Sequence, residues 1–321
     1  MSTVVASKAS LKTPAYAAQS AKSPLAPFTI ERRKPRSHEV LIDILYCGVC
    51  HSDIHMVGND LGISIFPMVP GHEIVGRVVE VGDHVSKWKE GDIVGVGCFV
   101  DSCRQCEACH AGEEQYCEEG MTLTFSGYER DGKTPTYGGY STRITVDENY
   151  VLRIPEGIPL ERVAPLLCAG ITNYSSLKHF GVKAGDKVAV VGLGGVGHMT
   201  VKLAHALGAH VTVLSHSPNK RDDALKLGAD DFITTKDESA FKDNAGRFDF
   251  IFDAVSAQHD YNAYLNLLKR DGTMVLLGLP DPSPVAADVE LIPIDKINEA
   301  FERMLKGDVR YRFVIDMTSL K

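Results

Sequence analysis

The sequence predicts an α/β protein of two domains, a small irregular antiparallel β-barrel followed by a doubly wound parallel sheet. Three observations carry this. Between Glu39 and Gly97 short β-branched runs alternate with glycines. After Lys187 a strand, a G-x-G-x-x-G turn and a helical run follow one another. And 321 residues with 44% apolar content exceed the roughly 250–300 residues at which a single core stops growing.

Residues 1–35 are rich in Ser, Ala, Lys and Pro, and Pro24, Pro27 and Pro35 cut them into short extended pieces with a frayed start. From Glu39, Val-Leu-Ile-Asp-Ile-Leu-Tyr reads as a strand, and Ile74 to Gly82 as another. Glycines at 76, 82, 91, 95 and 97 turn the chain between further short strands, the texture of a barrel. Between the two strands, Tyr46 to Glu73 gathers thiol, imidazole and carboxylate groups. Cys50 and His72 suit zinc, and Cys168, in Pro-Leu-Leu-Cys-Ala-Gly, would complete three ligands with a fourth position open to water or substrate. Buried free cysteine is common, so spacing alone leaves a packing role open for these thiols.

A second cluster is locally stronger. Cys103-x-x-Cys106-x-x-Cys109-x7-Cys117 places four thiols in a segment with little apolar content, where they have no core to join. Such thiols also hold iron–sulfur clusters or pair as disulfides; the proline that often follows a cluster run is absent, and a structural zinc is the better reading. Binding the metal would then fold a protruding lobe.

The first strand read in the second domain is Lys187-Val-Ala-Val-Val191, of buried type. Gly192, Leu193, Gly194, Gly195, Val196 and Gly197 form the G-x-G-x-x-G turn, and the run from His198 to Leu207 is a helix ended by Gly208. With those flanks the turn is a Rossmann dinucleotide site, its glycines allowing the tight turn, backbone approach to pyrophosphate and close helix packing. After the next strand, Val211–Leu214, an acidic residue would mark NAD. Ser215, His216 and Ser217 stand there instead, followed by Lys220 and Arg221, which suits the 2′-phosphate of NADP(H). The competing reading makes Lys220 and Arg221 the start of a solvated helix face. Asp231–Thr234, Phe248–Asp253 and Thr273–Gly278 continue the alternation of a parallel sheet.

A net charge of −8 excludes a nucleic-acid groove or anionic membrane surface as the main partner. The first thirty residues hold no arginine and no apolar run of signal type, and no stretch nears the ~18 apolar residues of a membrane span. A cytoplasmic protein is expected, with no nucleic acid and no membrane among its partners. Eight cysteines with C-x-x-C spacing then favour metal ligation over disulfides.

Cys47 to Asp53, Asn59 to Gly62, Gly71 to Gly76, Gly91 to Val94, the four-cysteine lobe, Pro165 to Thr172, Gly192 to Gly197 and Val309 to Asp316 together resemble zinc-dependent medium-chain alcohol dehydrogenases. Within these the chain is similar to the cinnamyl alcohol dehydrogenase branch of NADP-dependent aldehyde reductases. The resemblance implies a GroES-like catalytic domain over 1–159, an NADP-binding domain over 160–288 and a C-terminal return to the first over 289–321. It implies two zinc ions per chain, a small-molecule alcohol or aldehyde as substrate, and a homodimer.

Residue by residue, the resemblance makes Cys50, His72 and Cys168 the catalytic-zinc ligands, with Glu73 the carboxylate that approaches the metal and Asp53 the orienting partner of a ligand imidazole. Ser52 and His55 match the proton relay, His51 a pyrophosphate contact and Thr172 a nicotinamide contact. Cys47 is expected in the core, His84 and His110 on the surface, Trp88 under a barrel turn.

Two departures qualify the pattern. Thr122 stands where lignin-pathway enzymes carry a large pocket aromatic, which favours a microbial broad-range aldehyde reductase over a dedicated lignin-precursor enzyme. And Gly278 to Ala287 runs almost directly into Val289, where relatives carry some thirty-odd more residues holding a sixth strand, pocket residues and much dimer contact. The alternatives are a polyol dehydrogenase of mannitol type, or a zinc- and nucleotide-binding module impaired by that missing segment.

Overall fold

The N-terminal stretch, expected as broken extended pieces, is a continuous antiparallel ladder in the computed structural model, which describes residues 10–237, 239–255, 259–277 and 289–320. Strand β1 (Ser10–Ala17) pairs with β2 (Ala26–Arg33), Ser10 opposite Arg33 and Ala17 opposite Ala26. Thr13, Ala15 and Ala17 are buried on one face, the period of two that a half-covered strand requires.

By packing the chain falls into two units, Met1–Cys168 with Val289–Asp308 and Phe313–Lys321, and Ala169–Asp288 with Val309–Arg312. The first unit continues with β3 (Glu39–Val49), α1 (His51–Gly58), β4 (Ile74–Val81), β5 (Ile93–Val96), β6 (Phe99–Asp101), α2 (Glu107–His110), β7 (Thr122–Leu123), β8 (Arg143–Asp147) and β9 (Leu152–Arg153). Strand β3 is buried along most of its length because neighbours cover it; it pairs antiparallel with both β4 and β8. Cys47 is fully buried there, whereas His84 and His110 are exposed. Trp88 donates its indole N–H to the Glu148 carbonyl at 3.0 Å, beneath Arg153. A short 3-10 turn, Ala164–Leu167, packs Ala164 and Leu167 against Val75 of β4, and so brings Cys168 to this sheet.

The second unit holds α3 (Ala169–His179), β10 (Lys187–Val191), α4 (Gly197–Ala206), β11 (His210–Ser215), α5 (Arg221–Lys226), β12 (Asp231–Thr234), α6 (Ser239–Asp243), β13 (Phe248–Asp253), α7 (Tyr261–Leu265) and β14 (Leu268–Val275). Its five strands run in the order β12-β11-β10-β13-β14, every pair parallel, so the order reverses between β10 and β13. Ala189, Val191, Leu214, Phe248 and Ile251 form its core. Strand β14 begins five residues before the expected Thr273, its register shifting between Phe248 and Phe250 of its neighbour.

The chain then returns to the first unit with β15 (Glu290–Pro293), α8 (Ile297–Leu305) and β16 (Phe313–Asp316), completing the order β15-β16-β3-β4-β5-β9. The β15–β16 pair is parallel, the one departure from the expected antiparallel pattern among the described strands of this sheet. The short run 278–287, where relatives were expected to be longer, lies outside the described residues.

Candidate active site and metal centres

The catalytic cluster is built by the end of β3, the first turn of α1 and the start of β4. Cys50 is the N-cap of α1, and the carboxylate of Asp53, three residues on, accepts the Cys50 backbone N–H at 2.8 Å, which closes the helix start. Asp53 is fully buried and also accepts from the Gly71 N–H at 3.0 Å and the Tyr140 hydroxyl at 3.2 Å, and meets His72 Nδ1 at 3.1 Å. One carboxylate thus fixes two of the three segments that carry ligands. Gly48 makes room for Glu73: a Cβ there would lie 1.8 Å from Glu73 Oε2.

The ligand atoms of Cys50, His72, Glu73 and Cys168 all lie within 4.8 Å of one another. Burial pulls the His72 imidazole down, but the Asp53 charge, its hydrogen bond and the Cys50 thiol outweigh it and hold His72 well above its ordinary pKa. Hydrogen bonds with Cys50 and Cys98, then burial, push the Cys168 thiol up. Cys50 and Cys168 are 3.8 Å apart at sulfur. Two thiols, a carboxylate and an imidazole so crowded resist joint ionisation unless a cation sits among them, and this donor set fits a divalent, borderline-soft metal.

Two neighbours of this cluster were not found from the sequence. Cys98 hydrogen-bonds Cys168, which draws its pKa down to about 7; it had no partner at metal-ligand spacing. Phe125 stacks on His72 at 5.8 Å and 21°. Thr122, read as the replacement for the pocket aromatic, instead lines a polar cavity of about 90 Å³ among Arg32, Arg33, Glu39, Glu129 and Asp147. The aromatic beside the ligands is Phe125, three residues later.

Ser52 is exposed on α1, its Oγ 3.5 Å from Cys50 Sγ. His55 faces outward one turn later, with Nδ1 2.9 Å from Asp60 and its ring 5.0 Å from that of His51. Ser52 and His55 make no hydrogen bond to each other among the described residues.

The lobe cluster is equally tight, with the sulfurs of Cys103, Cys106, Cys109 and Cys117 within 4.8 Å of one another. Backbone N–H groups point at three of them: Cys103 to Cys117 at 3.3 Å, Cys106 to Cys103 at 3.4 Å and Glu118 to Cys106 at 3.5 Å. The Glu118 N–H, first among several bonds, draws the Cys106 thiol down to about 7. Four sulfurs served by such donors suit a tetrahedral thiolate site.

In the second unit, Gly192 adopts a φ of 84° and Gly197 sits so near the Gly192 carbonyl that a Cβ would lie 2.0 Å from its oxygen. No atom lies within 4 Å of where a Gly194 side chain would begin, which leaves an open approach to the backbone. Lys220 donates to the Leu193 carbonyl at 3.0 Å, and its half-burial lowers its pKa. Ser215 Oγ, at the end of β11, accepts the Ser217 N–H at 3.2 Å, while His216 is exposed. The buried Arg312 flanks Gly195, where a Cβ would lie 2.9 Å from its Nη1, and Tyr311 beside it stacks on His198 at 5.0 Å. Sequence reading passed over Arg312, because nothing local ties residue 312 to a turn at 195. Cations with an open glycine turn suit a phosphorylated dinucleotide. Thr172 lies on α3 of this unit.

Comparisons with known proteins place the chain in a family. Residues 36–156 match the alcohol dehydrogenase GroES-like domain and residues 195–316 the zinc-binding dehydrogenase family. The chain belongs to the zinc-binding alcohol dehydrogenases, NADP(H)-dependent oxidoreductases of alcohols and aldehydes, and within them to the cinnamyl-type branch. It is 52% identical to NADP-dependent alcohol dehydrogenase C 1 of Mycolicibacterium smegmatis, over 96% of this chain and 98% of that one. It is 47% identical to the aldehyde reductase YahK of Escherichia coli, over 97% and 99%. Its fold matches a cinnamyl alcohol dehydrogenase of Sorghum bicolor with a TM-score of 0.92 at 40% identity, covering 97% of this chain and 99% of that one. The first of these alignments runs over 344 positions against a chain of 321, so that relative carries residues with no counterpart here. No helix among the described residues is long and apolar enough to cross a membrane.

Proposed function

We propose that this protein reduces aromatic or broad-range aldehydes to primary alcohols with NADPH, and runs the reverse with NADP, at the Cys50–His72–Cys168 set. The observation that carries this is the convergence of those ligand atoms with Glu73 in front of a single orienting carboxylate, Asp53. Zinc held there would supply Lewis acidity at the substrate oxygen, and NADPH the hydride.

The chain's own groups do the rest. Asp53 engages Nδ1 of His72 and so leaves Nε2 as its ligand atom. Ser52, beside the Cys50 sulfur, hands its proton to the substrate oxygen and regains one through the nicotinamide ribose from His55, which is backed by Asp60 and takes its proton from solvent. The Gly192–Gly197 turn holds the pyrophosphate with Arg312 and His51, Thr172 meets the nicotinamide, and Ser215, His216, Ser217 and Lys220 hold the 2′-phosphate. Phe125, buried and stacked on His72, backs the ligand imidazole with an apolar ring. The proposed setting is the cytosol and the proposed assembly a homodimer.

The test is NADPH oxidation by the zinc-loaded protein with cinnamaldehyde or benzaldehyde. Turnover with these, and weak oxidation of polyols, is expected. Preference for polyols would reassign the substrate class, and a folded, zinc-loaded protein without turnover would make it a binding module.

A further inference from the structure

Three of the four lobe thiols receive backbone N–H groups, but Cys109 is met by a side chain, with Ser102 Oγ 3.1 Å from its sulfur. A serine hydroxyl has one proton and two lone pairs. Ser102 Oγ has two further neighbours: Arg104 donates its backbone N–H to it at 3.3 Å, and Tyr150 Oη stands 2.7 Å away. A phenol that donates to Ser102 fills its second lone pair and leaves the one Ser102 proton for Cys109, which as a thiolate can only accept.

We propose that Tyr150 and Ser102 are positioning residues for the lobe metal, a donor chain from phenol to hydroxyl to the Cys109 thiolate that retains the ion. The chain is anchored outside the lobe. Tyr150 lies in a 3-10 turn, Glu148–Tyr150, directly after β8. The turn is pinned because Glu148 accepts the Ser86 and Lys87 N–H groups at 2.8 and 2.9 Å. Phe99 meets the Tyr150 ring edge-on at 5.8 Å, and the Arg104 guanidinium sits 5.3 Å over it, itself held by Asp101 and Asp147. Burial raises the Tyr150 phenol pKa, so the group keeps a proton that it can give to Ser102. The strands beneath the lobe thereby set how firmly its fourth thiolate is held.

The inference rests on the reading that the lobe binds zinc, and its test separates the two. In the cadmium-113-exchanged protein, Ser102→Ala should shift the tetrathiolate resonance and leave that of the Cys50–His72–Cys168 site in place. Zinc release from the lobe to a competing chelator should quicken about tenfold, the low end for partners that orient metal ligands. Tyr150→Phe, which keeps the ring and loses only the hydroxyl, should fall between, and Ser102→Thr should behave as the parent. Unchanged resonance and release rate in both Ser102→Ala and Tyr150→Phe overturns the proposal; should Ser102→Ala not fold, the Tyr150→Phe comparison decides it. A parent lobe that holds no metal would overturn the underlying reading and the proposal with it.

Discussion

Asp53 shows how much one buried carboxylate organises. Its oxygens hold the Cys50 N–H, the Gly71 N–H, the His72 ring and the Tyr140 hydroxyl, so three stretches of chain share one carboxylate. Tyr140 is fully buried, and burial keeps its phenol protonated and donating. Replacing Tyr140 with Phe should cost about 1.5–3 kcal/mol, the worth of a hydrogen bond to a charged group, with zinc content kept; thermal unfolding would show it. A melting point equal to the parent's would mean that Asp53 is satisfied without it. The catalytic ligands became legible through the family resemblance, since spacing alone left a packing role open for these thiols. Tyr140, Cys98 and Phe125 were not, because an aromatic or a lone thiol inside a strand-rich stretch reads as core until the fold shows what it touches.

Elements with a strong period were legible to within a residue or two. The expected strand at 187–191 is β10, and that at 248–253 is β13. Strand β14 was misjudged because Lys-Arg-Asp-Gly reads as a turn, yet its backbone continues through Asp271 at a φ of 64°. The N-terminal ladder was missed for a similar reason: prolines suggested interruption, whereas Pro14 and Pro27 sit within the paired strands. The turn after β11 gained a detail that only the fold supplies. Lys220 braces the Leu193 carbonyl of the glycine turn as well as standing near Ser215 and Ser217 in sequence. Lys220→Ala should therefore weaken both cofactors somewhat, and NADPH by about 1–3 kcal/mol more than NADH, since only NADPH loses a charge partner. Equal losses in a binding titration would assign Lys220 to the turn alone.

At the scale of the whole molecule, the chain is interleaved: residues 289–308 and 313–321 complete the sheet of the first unit, while 309–312 pack with the second and carry Arg312 to the glycine turn. No local pattern announces such a return, because its partners lie more than a hundred residues away. The account's central claim is that two separate metal clusters serve different ends, one chemical and one structural. Zinc analysis of purified protein, paired with NADPH-dependent aldehyde reduction, tests it directly. The parent should hold about two zinc ions per chain, one in the closed four-thiolate set and one in the catalytic set that keeps a position open. Cys168→Ser should fold, keep one zinc and lose turnover, whereas Cys106→Ser should lose zinc and thermal stability together, because a structural site contributes folding energy. A parent without zinc, or a Cys168→Ser protein that keeps both ions and full turnover, would contradict the account.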